Sequence, residues 1–260
     1  MADSGPRAFF LMLLGGFRLM AGDEQIVLSS GSERLLAYLA LSRNTVTRSV
    51  MAAALWPGAP ERRAQASLRS ALARLDGDGR RLLRVDACGL GLCPEVVVDV
   101  DEARSLARRL LDPLEPSQDG DVCAGSIEVL SDGLLPGWYD EWVLAASDEW
   151  HQLRLHALEA LSGWFLRAGR FAEAVAAAGV AVHAEPLRES AYAALMDAHL
   201  AEGNQAEALR HFQAFERNLR DELGITPTPR LRERVAGLLA DRPPVMQAPS
   251  RPGHARMTGR

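Results

Sequence analysis

The chain has 260 residues, 48% of them hydrophobic and 24% charged, with three cysteines and a formal net charge of −5. That length suits two domains better than one, and that composition excludes the disordered, collagen-like and disulfide-stapled classes. The charge is uneven: residues 43–84 hold nine arginines against three acids, a net +6, so the rest of the chain carries −11.

The apolar opening from Ala8 to Leu14 reads as a strand and not as a signal-peptide core, because Gly15, Gly16 and Arg18 break it and no small-residue cleavage site follows. Phe17–Met20 and Ile26–Leu28, set apart by glycines and the Gly22-Asp23 turn pair, complete a small antiparallel sheet. Leu35, Leu36, Leu39 and Ala40 then recur at helical spacing. A second short helix fits Arg48 to Trp56 until Pro57, Gly58 and Pro60 stop it, and a third runs from Glu61 to about Leu75. Leu82–Val85, a turn region at Gly89 and Gly91, and Val96–Val98 predict a closing hairpin. Strands, three helices and a hairpin outline a winged helix.

Asp99, three residues before Glu102, resembles a capping box that starts a helix through Leu111. Pro113, Pro116 and Gly120 mark a loop, and from Asp148 onward the chain reads as amphipathic helix punctuated at Gly169, Pro186, Gly203 and Gly224. Gly169, Ala172, Glu173 and Ala174 align with Gly203, Ala206, Glu207 and Ala208 at a constant offset of 34, the tetratricopeptide period. Each helix pair in such a repeat must stack on a neighbour to bury its apolar stripe, and alanines let the helices approach. The expected architecture is an α+β N-terminal winged helix over residues 1–98, followed by an all-α tetratricopeptide-like helical repeat domain over 99–240. A disordered Pro- and Arg-rich tail over 241–260 ends the chain. The groove of the stack fits a bound polypeptide or a dimerisation scaffold equally well.

In the third helix Ala64, Leu68, Ala71, Leu72 and Leu75 share one face. Arg62, Ala66, Arg69 and Ala73 lie on a second, with Arg63, Ser67, Ser70 and Arg74 beside it. One side packs while the other is cationic, as a major-groove reader requires. Arginine donates two hydrogen bonds to guanine, glutamine (here Gln65) pairs with adenine, and small side chains let the helix sit close. Arg80, Arg81 and Arg84 flank the predicted hairpin, and Arg48 lies at the second helix; all four are placed for phosphates, which add affinity without sequence information. An arginine-rich solvated surface would look the same in charge alone.

Catalytic and metal chemistry find no support. A chain without lysine cannot hold a G-x-x-x-x-G-K-[ST] loop, and no G-x-S-x-G is present. Cys88 and Cys93 have no second Cys or His pair in reach, His151 and His156 do not share a helix face, and Asp140 and Glu141 read as helix-start charges. No enzyme activity, metal or cofactor is assigned. The cysteine usage suits the cytoplasm, and no run is long enough to span a membrane.

Three ordered stretches resemble the winged-helix half of SARP-type (antibiotic regulatory protein) transcription regulators: Ser32 to Leu41, Ala54-Leu55-Trp56-Pro57 and Ser67 to Leu72. The second half resembles their bacterial transcriptional activator domain, carried by Leu134 to Trp142, Pro186 to Ser190, Ala201 to Asn204 and Glu222 to Pro227. The resemblance covers about residues 9–240. It implies an OmpR-like winged helix whose third helix enters the major groove of double-stranded promoter DNA at direct repeats. It also implies a helical domain that supports assembly, homo-oligomers included, and contacts RNA polymerase, so that a biosynthetic gene cluster is activated. The chain departs from the family in lacking the nucleotide-binding domain of its large members, and in placing Ala73 where a bulky aromatic often sits. The rival reading is a protein-binding adaptor whose winged helix makes protein contacts.

Overall fold

In the computed structural model, residues 8–75, 77–112 and 120–240 are described; the tail over 241–260 and the prolines expected in the loop, Pro113 and Pro116, fall outside them. Apolar alternation buries Phe9 and Leu11 of β1 (Phe9–Met12) and turns Phe10 outward. β1 pairs antiparallel with β2 (Arg18–Ala21), Phe9 opposite Ala21, and β2 pairs with the short β3 (Glu24–Gln25). Ile26–Leu28, expected as the third strand, follows it; the Ile26 N–H donates to the Leu19 carbonyl at 2.8 Å.

The expected hairpin needs correction. β4 (Leu83–Asp86) pairs with β5 (Gly89–Leu92), and β6 (Val96–Val98) instead returns to the first sheet, parallel to β1, giving the order β3-β2-β1-β6. The glycines at 89 and 91 belong to a strand and not to the turn. Asp86 makes the turn by accepting from the Cys88 and Gly89 N–H groups at 2.8 and 3.0 Å. β6 buries Val96 and Val98 on one face, while Val97 on the other is half-buried.

In the chain between β3 and β4 come α1 (Ser30–Ser42), α2 (Arg48–Leu55), α3 (Glu61–Ala73) and the one-turn α4 (Asp78–Arg81). Ser29 and Thr47 cap α1 and α2, their hydroxyls accepting from Ser32 and Val50 N–H. The second half is helical: α5 (Asp99–Leu111), α6 (Ala124–Ser131), α7 (Glu141–Arg167), α8 (Phe171–Ala184), α9 (Glu189–Glu202), α10 (Gln205–Leu223) and α11 (Pro229–Ala240). α7 to α10 stack consecutively. Gly169 and Gly203 end the first helix of each repeat in the left-handed region, at φ 71° and 92°. Ala174 and Ala208, one repeat apart, are fully buried where neighbouring helices meet.

One buried cluster runs without interruption from Phe9 through α5 into α7 and α8. Asp99 does not form the expected capping box. Its carboxylate accepts from Leu13 and Leu14 N–H at 2.9–3.0 Å and from Val100 N–H at 2.7 Å, tying α5 to the end of β1. Burial nonetheless pushes this carboxyl above its ordinary range, outweighing those amide donors. The 134–142 stretch closes the junction. Leu14 bridges Leu134, Arg34 pairs with Asp140, and the Tyr38 ring meets Trp142 edge-on at 5.2 Å. No helix among the described residues is long and apolar enough to cross a membrane.

Candidate nucleic-acid interface

α3 is anchored by Ala64, Leu68 and Ala71, with Leu75 just beyond it, all at most 4% exposed. The Ser32 hydroxyl, itself fully buried, donates to the Ala71 carbonyl at 3.1 Å and so fixes α3 against α1. With that face committed, Arg62, Arg63, Arg69, Ser70 and Arg74 are exposed, and Gln65 and Ser67 are half-buried along its flanks. None of the four arginines forms an ion pair with a described residue. Leu72, expected on the packed face, is half-buried at the edge of a groove facing the β4–β5 hairpin.

That groove, ≈ 640 Å³, brings Arg48, Gln65, Arg69, Ala73 and Arg80 together with Val85 of the hairpin. Ala73 is exposed there, and a small residue leaves the groove open where a bulky one would narrow it. On the opposite flank Arg63, Ser67, Ser70 and Arg74 border a second recess with Ser29 and Gly31 at the start of α1. The predicted residues on α3 therefore border one recess or the other, except Arg62, which lies exposed at the start of the helix on the same face as Arg69.

The hairpin is held against the α1–α2 connection. Val46 and Leu90 exchange both backbone hydrogen bonds, at 2.8 and 2.9 Å. At Gly89, φ 150°, a Cβ would sit 2.1 Å from the Val46 carbonyl oxygen, so only glycine permits this approach. Arg84 is half-exposed and shares Thr45 and Asp86: it donates to the Thr45 hydroxyl at 3.2 Å and lies 3.8 Å from the Asp86 carboxylate. Chiefly through the hydroxyl donated by Thr45, the Asp86 carboxyl is held below its ordinary range. Arg80 donates from Nε to the Leu75 carbonyl at 3.0 Å, closing the end of α3 while its side chain stays exposed. Arg81 points elsewhere, its guanidinium 5.7 Å over the Phe9 ring. Sequence reading misses Ser32, Thr45 and Val46, which position α3 and the hairpin; their partners are remote in the chain, and only the serine's place at a helix start could have hinted at one of them.

The model of the bacterial transcriptional activator domain matches residues 98–239. The chain belongs to the bacterial transcriptional activator domain family. Among relatives, the regulatory protein AfsR of Streptomyces coelicolor is 32% identical over 251 residues, 89% of this chain and 24% of AfsR. The transcriptional regulator RedD of the same organism is 32% identical over 176 residues, 66% of this chain and 44% of RedD. This member of the family therefore spans about a quarter of AfsR and less than half of RedD. A solved structure of Mycobacterium tuberculosis EmbR, in complex with a low-affinity phosphopeptide, shares the fold with a TM-score of 0.69 at 21% identity, over 91% of this chain and 66% of that one. The resemblance to SARP-type regulators, and the winged helix followed by helical repeats, are borne out.

Proposed function

We propose that this bacterial transcriptional activator domain protein is a sequence-specific, promoter-binding activator of a biosynthetic gene cluster. Residues 1–98 read double-stranded DNA and residues 99–240 contact RNA polymerase and further copies of the chain, in the cytoplasm. The observation that carries the reading is the exposed ridge of α3, four arginines without an acidic partner among the described residues on a helix whose opposite face is buried. Arg62 and Arg69, on one face, suit bidentate donation to guanine, Gln65 suits adenine, and Ser67 and Ser70 let the helix approach. Arg48, Arg80 and Arg84, at the groove and hairpin, suit phosphates. Arg63, Arg74 and, from a more distant position, Arg81 add positive potential.

Ionic strength tests this reading against the adaptor. A complex that neutralises about four phosphates loses on the order of 100-fold in affinity between about 50 and 200 mM salt. We expect that loss for promoter fragments upstream of the genes flanking this one, measured by fluorescence anisotropy. Affinity that changes less than about threefold over the same range would mean that phosphates are not engaged and would favour the adaptor.

A further inference from the structure

The second helical repeat brings together three side chains to which the DNA-binding reading assigns no role. His199 lies in the last turn of α9, and Glu207 and His211 lie one turn apart on α10. One nitrogen of each imidazole and a carboxylate oxygen all fall within 4.8 Å of one another. The two rings are nearly parallel, 11° apart, with centroids at 5.3 Å.

A second observation is independent of that grouping. His199 is only 8% exposed, and its Nδ1 has no hydrogen-bond partner. Buried ring nitrogens are normally satisfied, because leaving one bare forfeits its hydration for nothing. Oε2 of Glu202 lies 3.9 Å from this Nδ1, beyond hydrogen-bond range. Glu202 instead accepts from the Asn204 side chain at 2.6 Å.

We infer that His199, Glu207 and His211 bind a divalent transition-metal ion that clamps α9 to α10. Two imidazoles and a carboxylate are a donor set for zinc, cobalt or nickel and not for magnesium or calcium, which take oxygen ligands. Arms of about 2.0–2.2 Å in a tetrahedral site put ligand atoms about 3.3 Å apart. The three donors, now within 4.8 Å of one another, must therefore draw in by up to about 1.5 Å, which rotation of the half-buried His211 and Glu207 side chains supplies. Glu207 also pairs with Arg210, a largely exposed guanidinium that a metal displaces without leaving a buried charge. The site has three protein ligands, so a fourth position stays open to water or an anionic ligand.

The test uses the full chain, stripped with chelator, and cobalt(II) as the probe. We expect one cobalt per chain, a visible spectrum of nitrogen and oxygen ligation without thiolate charge-transfer bands, and a rise in melting temperature that zinc reproduces. His211→Ala, with a single half-buried ring removed, is expected to weaken cobalt binding by more than the about 10–100-fold that loss of an outer-shell partner costs, and to abolish the melting shift. Glu207→Gln, which preserves shape, provides the same reading if His211→Ala melts early. Equal affinity in wild type and both variants, thiolate bands from Cys88, Cys93 or Cys123, or no binding at all would overturn the site.

Discussion

Replacing Arg62 and Arg69 together by alanine is expected to leave the protein folded and to cost about a thousandfold in affinity for its promoter site, about 2 kcal/mol for each guanidinium that contacts a base. The two residues are seven apart on one face of α3, both exposed and neither paired with an acid among the described residues. Their loss removes nothing from the core, so the melting temperature should move by no more than an ordinary surface substitution allows. Specificity should fall with affinity, because discrimination between the site and unrelated DNA lies in base contacts, while the phosphate contacts proposed for Arg48 and Arg84 would persist. Anisotropy titrations against site and scrambled duplexes read both quantities. A double variant that keeps its preference for the site would remove α3 from the reading role.

Asp99→Ala should produce the largest loss of stability. It strips the acceptor from three backbone N–H groups, those of Leu13, Leu14 and Val100. Each unsatisfied buried donor costs about 1–3 kcal/mol, so a total of about 3 kcal/mol or more is expected. Asp99→Asn should cost less: it keeps one carbonyl acceptor and removes a carboxylate whose ionisation burial already disfavours. The position also decides cooperativity. Because one buried cluster passes from β1 through α5 into the helical stack, wild type should unfold in urea as a single transition. In Asp99→Ala the winged helix should unfold first, seen as two transitions when tryptophan emission and helical circular dichroism are followed together. An unchanged single midpoint would mean that the junction is held by its other contacts, among them the Leu14–Leu134 bridge, the Arg34–Asp140 pair, the Tyr38–Trp142 contact and the shared buried cluster.

What the sequence discloses follows the range of each interaction. α1, α2 and α3 are written in local periodicity and in the Ser29 and Thr47 caps, and the repeat is written twice at a fixed spacing around Gly169 and Gly203. Each of these signals lies within a few residues of the structure it specifies. The wing was harder, because Gly89 and Gly91 look like turn residues until Val46, far away in the chain, is seen against Gly89. The parallel pairing of β6 with β1 joins Phe9 to Val96 and has no local signature at all. Asp99 illustrates the same limit: its spacing to Glu102 suggests a cap, whereas two of its three partners, Leu14 and Leu13, are 85 and 86 residues away. The cationic ridge was legible because it is one helix. The way in which Leu134–Trp142 locks the two halves was not, and resemblance alone marked that stretch. Glu207 and His211 share a helix face and could have been noticed, but His199 reaches them only through the packing of α9 on α10.

The most direct measurement is methylation interference on the bound promoter site. Methylating guanine N7 blocks the major-groove atom to which an inserted arginine donates, while minor-groove edges are untouched. We expect methylation at one or two guanines per half-site to abolish binding of the wild-type protein, and Arg62→Ala and Arg69→Ala each to erase the interference at its own guanine. Binding that tolerates N7 methylation throughout the site, or interference confined to adenine N3 in the minor groove, would contradict an α3 seated in the major groove.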